Sequence, residues 1–300
     1  MKQETARFLR QMRLMQLSDY FRFLLLKYQN RRKNAAFRQR YPEVALPPDY
    51  MMYEAFQLDY ERYYLNGQRT AEWLVGLIQP HMQMEGASIL DWGCGPARVV
   101  RHLRNLIPEA TYYGSDYNPD TIAWCSHTFN DIYFHSNDLM PGLVYEPGMF
   151  DLAYAISIFT HLSEEAHEAW LRELCRVLKP GGILMLTLHG AGFRHKLTEK
   201  ELQLFDSDCL VIRGNVREGH RTYAAFHPEG WVRNWIKDLE IIQFIPGDEG
   251  TQDTWLFRIP VKGNLRSEDQ YEQSGENTGL EDGGYNSEPV GAPEEGDRVE

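Results

Sequence analysis

The stretch SILDWGCGPARVVRHL, Ser88 to Leu103, constrains this chain more than any other. An apolar run ends in Asp91, Gly93 and Gly95 flank Cys94, and a helix-like pattern follows. A strand that turns this tightly into a helix presents bare backbone at the end of a sheet, where a ligand can come close. The rest of the chain repeats the alternation. The apolar runs SILDW, TYYGSD, MFDLAYAIS, GILMLTL, EIIQFIP and TWLFRIP are separated by helical patterns at 97–106, 119–127, 163–178 and 228–238. This order predicts an α/β fold, a mostly parallel sheet with helices on both faces. Only the turn GDEGTQD joins the last two runs, so they must pair as an antiparallel hairpin.

The helix at 163–178 shows how the boundaries are read. Ser163 can cap it, Glu164 and Glu165 suit its positive N-terminus, and Ala166, Trp170, Leu171, Leu174 and Leu178 form one stripe. Pro180-Gly181-Gly182 ends it. Residues 5–40 also read as helix, broken by Pro42, Pro47 and Pro48. A second helical stretch follows Asn66-Gly67, with Ala71, Leu74, Val75 and Ile78 on one face. After Gly263 the chain is polar, acidic and rich in Gly and Ser, which predicts disorder.

The glycine loop fits a dinucleotide poorly. Gly93-Cys94-Gly95-Pro96-Ala97-Arg98 lacks the third glycine of that fingerprint. A carboxylate at Asp91 would lie near a pyrophosphate, and two like charges ~4 Å apart cost about 4 kcal/mol at an effective dielectric near 20. The same carboxylate suits a cation without phosphate, such as S-adenosylmethionine. Asp116 ends the next strand, TYYGSD, where a carboxylate can accept from both ribose hydroxyls. Alone it would read as a turn residue before Asn118-Pro119.

In order and spacing, ILDWGCGPAR, YYGSDYNPDTIAWC, FDLAYAISIFTHL and LCRVLKPGGILMLTLHG resemble the successive motifs of class I S-adenosylmethionine-dependent methyltransferases. The likeness is strong over about residues 67–190 and weaker over 220–262. It is nearest to the small-molecule branch found with bacterial polysaccharide and natural-product genes. Ala97 departs from it, since glycine is frequent there. The resemblance implies a Rossmann-like seven-stranded sheet with a C-terminal antiparallel hairpin and an N-terminal helical extension. It implies cofactor contacts from Asp91, Gly93, Cys94, Gly95, Arg98, Asp116 and Tyr117. Asn137, Asp138 and Leu139 would flank the adenine, and Ala155, Ile156 and Ser157 would meet the methionine end. The expected division is a helical extension or lid at 1–80, a methyltransferase domain at 81–262 with a substrate-side insertion at 190–226, and an acidic tail at 263–300.

Methyl transfer needs alignment and exclusion of water, and a base only where the acceptor is a hydroxyl or similar group. His189 follows ILMLTL at a strand's carboxyl end and is the first candidate base; it can also be a plain polar terminus. His161 is the second, although a histidine there often packs or caps the next helix. His227 precedes the helix at Pro228 and reads as structural. LPPDY at 46–50 is similar to the NPPY box of amino methyltransferases but lies outside that box's place after the fourth strand. The methionines at 12, 15, 51, 52, 82 and 84 read as packing residues.

Charge limits the partners. Residues 1–40 hold eleven Lys/Arg against two acids, +9, and residues 264–300 eleven Asp/Glu against two basic residues, −9. The middle therefore carries the net −12, which argues against a general nucleic-acid binder. The basic N-terminal helix reads as packed on the domain, with an anionic membrane as the other reading. Four cysteines without CxxC or zinc spacing predict a reduced, cytoplasmic protein without a metal. The expected function is methyl transfer from S-adenosylmethionine to a small molecule, a saccharide or a saccharide precursor. A non-catalytic S-adenosylmethionine-binding subunit and a nicotinamide-dependent oxidoreductase are the alternatives.

Overall fold

Apolar runs buried on both faces build the centre of the structure. The computed structural model describes residues 2–214 and 223–261, with side chains of 2–19, 54 and 55 outside the description. His220 and the acidic tail lie outside the described residues. Nine strands are described: β1 Ser88–Trp92, β2 Thr111–Asp116, β3 Ile132–Ser136, β4 Phe150–Ile156, β5 Leu178–Leu188, β6 Val211–Arg213, β7 Ala224–Phe226, β8 Glu240–Ile245 and β9 Asp253–Arg258. Seven form one sheet in the order β3-β2-β1-β4-β5-β9-β8, and β6 pairs with β7 apart from it. β1 to β5 run parallel, whereas β9 is antiparallel to both β5 and β8. This is the predicted Rossmann-like sheet, and its hairpin is the one that the short turn required.

Alternation along the strands feeds two cores. Leu90, Trp92, Ala153, Leu184 and Leu186 face α6 (Glu164–Val177) and α8 (Glu229–Trp235), through Trp170, Leu174 and Val232. Ile89, Leu152, Tyr154, Ile183 and Met185 face α3 (Tyr60–Ile78), α4 (Val100–Leu106) and α5 (Pro119–Thr128). Ser163 caps α6 as expected, accepting from Ala166 N. An aromatic annex lies beside the second core. Phe37 of α1 (Lys2–Arg40) packs with Met52 and Tyr53 of α2 (Asp49–Phe56) and Tyr60 and Tyr63 of α3. Met52 and Met84 are buried, in keeping with a packing role. Residues up to 262 form one compact unit.

Several boundaries differ from the sequence reading. β3 was not among the predicted runs. It is an edge strand whose Tyr133 is exposed, so only Ile132 and Phe134 signal it. Pro47-Pro48 launches α2 instead of only breaking a pattern, with Pro48 at its N-cap. The insertion holds α7 (Glu199–Asp206), which has a capping box at Thr198 and Glu201, and the β6–β7 ribbon. α4 starts at Val100, because Ala97 adopts φ +56° and cannot continue a helix.

The largest difference concerns Asn66-Gly67. It does not precede a helix but lies inside α3, which Asp59 caps by accepting from Arg62 N. A Cβ on Gly67 would sit 2.2 Å from the backbone oxygen of Arg98. Glycine is there so that α3 can touch the loop after β1. Tyr63 Oη donates to Pro96 O at 2.6 Å and Arg98 Nη1 donates to Thr70 Oγ1 at 3.0 Å, which fixes the same contact.

Gly76 on the same helix has nothing within 4 Å of a built Cβ. Gly76→Ala is therefore expected to stabilise by up to about 1 kcal/mol through helix propensity. Gly67→Ala is expected to destabilise by about 1–3 kcal/mol through overpacking. Urea denaturation of the two variants checks the opposite signs.

Candidate active site

The order of the sheet reverses between β1 and β4, and ligands of open α/β sheets bind beyond the strand ends at such a reversal. The loop after β1 is shaped by three left-handed residues, Gly93 at φ +76°, Gly95 at +49° and Ala97 at +56°. A Cβ on Gly93 would lie 2.2 Å from the Ile158 side chain, so this glycine permits close packing of the β1 and β4 exits. Gly93 N and Cys94 N both donate to Ser115 O, at 2.7 and 3.0 Å. Cys94 and Cys125 are buried, and burial pushes both thiols up, so they are packing groups and not nucleophiles.

Asp116 closes the loop. Its Oδ2 accepts from Gly95 N and its Oδ1 from Asn118 N, both at 2.9 Å. Burial pushes its pKa up, and these backbone donors pull it back. Asp91 lies deeper, buried beside Tyr154 on the paired strand. Burial raises its pKa to about 7, against the Tyr154 hydroxyl and the Arg98 guanidinium.

These two carboxylates test which ligand the loop fits. The Gly95 amide, a donor that would meet a pyrophosphate, is taken by Asp116, and the buried Asp91 lies beneath the same loop. A phosphate-free, cationic cofactor fits this arrangement better than a dinucleotide does.

A pocket of about 450 Å3, including its open mouth, lies over the β1 end. Gly93, Asp116, Tyr117, Asn137, Asp138, Leu139 and His161 line it, all of them residues singled out in the sequence. Asn137 Oδ1 accepts from Ser115 Oγ and its Nδ2 donates to Asp138 O, which holds the β3 exit against β2. Trp92, Ile158, Leu162 and Trp170 complete the wall and were missed, because in the sequence they read as core. Trp170 is core and wall together: it packs 4.4 Å from Trp92, and its Nε1 donates to Leu139 O at 2.8 Å.

Asp91, Cys94, Gly95, Arg98, Ala155, Ile156, Ser157 and His189 are not among the lining residues. Asp91, Cys94, Gly95 and Arg98 build the loop from beneath. Ser157 stands at φ +64°, a strained conformation for serine. A ring of hydrogen bonds holds it: its N donates to Thr187 Oγ1, Thr187 Oγ1 donates to Gln252 Oε1, and Gln252 Nε2 donates to Ser157 Oγ.

Two histidines lie near the strand exits. His161 Nδ1 donates to Tyr223 O at 2.7 Å, which orients the ring. His189 Nδ1 faces Ala225 O at 3.2 Å, and its ring lies 4.1 Å from Phe193. Burial first, and then His161, lower its pKa to about 4. It is neutral at physiological pH, yet a much weaker base than an ordinary histidine. His227 is structural as expected: it is buried, and its Nε2 meets His167 Nε2 at 2.9 Å. No group of three or more metal-binding side chains occurs among the described residues.

Comparison with known proteins agrees with this geometry. Residues 89–182 match the family model described as a methyltransferase domain. The chain is 31% identical over 131 residues to the fatty-acid O-methyltransferase of Mycolicibacterium smegmatis, covering 43% of this chain and 46% of that protein. It is also 31% identical over 107 residues to the tRNA (carboxymethyluridine(34)-5-O)-methyltransferase of Arabidopsis thaliana, covering 35% and 25%. The chain thus spans half or less of the length of these two relatives. Among solved structures, the PH0226 protein of Pyrococcus horikoshii OT3 superposes with a TM-score of 0.51 at 17% identity, over 71% of this chain and all of that one. That likeness concerns the fold. The segment from Ile89 to Gly182 is a methyltransferase domain, and its sheet makes it class I.

Asp91 yields a pH test. Its unfolded carboxyl titrates near 3.8 and its folded one near 7, so the folded state binds the extra proton between those values. The stability this provides is full below about pH 4 and lost as pH rises through 7. Asp91→Asn removes the effect. Relative to the unsubstituted protein, its stability is expected to grow by about 1–4 kcal/mol between pH 4 and 8. Parallel urea curves at all pH values would contradict this.

Proposed function

We propose that this chain is an S-adenosylmethionine-dependent methyltransferase acting on a small-molecule oxygen acceptor. The observation that carries the reading is the loop after β1, whose Gly95 amide Asp116 already takes and beneath which the second acid, Asp91, is buried, an acidic setting that suits a cation better than a phosphate. Gly93 and Asp116 hold the ribose side of the cofactor, and Asn137, Asp138 and Leu139 its adenine. When bound, the cofactor supplies an activated methyl group on a sulfonium. The chain aligns the acceptor and keeps water out, with Trp92, Ile158 and Leu162 forming the dry part of the wall.

Oxygen as the acceptor atom is supported by both relatives above, each named for transfer to oxygen. Their acceptors otherwise differ, so the shared segment is the cofactor half. A saccharide or saccharide precursor is the acceptor class we assign, on the motif resemblance to the polysaccharide and natural-product branch. Residues 190–226 and the N-terminal 80 residues form its acceptor side. The carbonyls of Tyr223 and Ala225, which hold His161 and His189, belong to that insertion. All four cysteines are free, which supports a reducing, cytoplasmic location. No helix among the described residues is long and apolar enough to cross a membrane.

His161 is the general base in this reading, since it lines the pocket and is oriented through Nδ1. His189 is the weaker candidate and acts by positioning. Acceptors are screened with labelled S-adenosylmethionine, and S-adenosylhomocysteine and NAD are compared by calorimetry. The homocysteine product is expected to bind and NAD is not. Asp116→Ala is expected to weaken its binding by about 1.5–3 kcal/mol, the range for hydrogen bonds to a charged group. His161→Ala is expected to lower kcat by about 10²–10⁴ with cofactor affinity unchanged, and His189→Ala by less than about tenfold. The reverse order of the two histidines would return the base to His189.

A further inference from the structure

Helix α1 carries two apolar faces, and the domain uses one of them. Phe23, Leu26 and Phe37 pack into the aromatic annex. The buried Asn34 fixes the rotation of the helix: its Nδ2 donates to Leu58 O at 2.8 Å and its Oδ1 accepts from Tyr60 N at 3.1 Å. Tyr20, Phe21, Leu24, Leu25 and Tyr28 are left on the other side, each 41–67% exposed. The spacing i, i+1, i+4, i+5, i+8 makes them one continuous stripe and not scattered surface residues.

The rim of the stripe identifies what covers it. Residues 20–40 contain seven Lys/Arg and no Asp or Glu. Lys27 and Lys33 are committed to the domain through Asp49, Asp59 and Glu61. Arg22, Arg31 and Arg32 are exposed, and the Arg31 guanidinium lies 3.6 Å from the Tyr28 ring centroid, at the border of the stripe. A second copy would bring the same cations against one another, and residues 20–40 supply no carboxylate to meet them. A nucleic acid needs basic contacts along its track, where this stripe offers Phe and Leu. An apolar, aromatic stripe edged by arginine matches the surface of a bilayer with anionic headgroups, the aromatic rings entering the interface and the guanidinium groups meeting the charge.

We propose that the outward face of α1 around Phe21, Leu25 and Tyr28 docks the protein on an anionic lipid bilayer. The inference is independent of methyl transfer. The test is flotation of the full chain with vesicles of phosphatidylcholine, alone or mixed with phosphatidylglycerol. Binding to the anionic vesicles is expected to be at least about tenfold stronger and to weaken with salt. The combined Phe21→Ser, Leu24→Ser, Leu25→Ser variant is expected to lose at least about tenfold in binding. The combined Arg22→Gln, Arg31→Gln, Arg32→Gln variant is expected to do the same, at roughly fivefold per arginine. Tm and calorimetric affinity for S-adenosylhomocysteine should stay unchanged in both. Equal binding to neutral and anionic vesicles, no vesicle binding, or full binding by either variant overturns the proposal. So does a concentration-dependent dimer that the serine variant abolishes, or tRNA binding that the glutamine variant abolishes in a protein that ignores vesicles.

Discussion

The contact from Gly95 N to the Asp116 carboxylate is the one on which the rest of the site depends. It ties the loop after β1 to the end of β2, so two parallel strands finish at one level and cannot slide apart. The same carboxylate takes Asn118 N, and Asn118 in turn caps α5 by accepting from Asp120 N and Thr121 N. One buried acid therefore sets the loop, the strand end and the start of the following helix. Its burial costs free energy for the charged form, and charge-assisted backbone hydrogen bonds offset that cost. The side chain that grips the loop from within also lines the pocket.

The companion acid, Asp91, changes what a glycine loop means. In a dinucleotide fold the helix N-terminus after the loop is an anion site. Here a carboxylate from the preceding strand is buried beneath the loop, and the helix that follows is only seven residues long. The Gly95 amide of the loop is taken inside the protein by Asp116. Ligand class is thus set by which groups the chain has already used for itself, as much as by the count of glycines.

The sheet was legible because its central strands are buried on both faces and read as unbroken apolar runs, as in LAYAI and ILMLTL. β3 was not legible, because an edge strand with a wet face carries half the signal. Gly67 misled because glycine marks both a turn and a close approach, and only the Arg98 carbonyl 2.2 Å from its built Cβ separates the two. At the site, the residues with polar chemistry at strand ends were readable: Asp116, Asn137 and His161 all line the pocket. Trp92 and Trp170 were not, since a tryptophan that stacks in a core and also walls a pocket has one identity in sequence and two in space. The depth of Asp91 and the aromatic packing of His189 were beyond sequence as well, because both follow from neighbours far along the chain, Tyr154 for one and Phe226 for the other.

The two histidines show how such distant neighbours decide chemistry. Both rings point Nδ1 at a carbonyl of the same segment, Tyr223 for His161 and Ala225 for His189. A carbonyl can only accept, so each ring carries a proton on Nδ1 and is oriented by that bond. The end of the insertion therefore orients both imidazoles at once. What differs is the surroundings, since both rings are half-buried. His189 lies between Phe193 and Phe226, where a positive ring is costly and its pKa falls to about 4. His161 lies on the pocket wall, where an acceptor can reach it. Proton transfer from an acceptor is favoured by a base whose pKa lies near the working pH and whose lone pair meets the reacting group. His161 lines the pocket and His189 does not. The insertion thus reaches the two histidines through two carbonyl oxygens, without placing a side chain of its own on the pocket wall among the described residues.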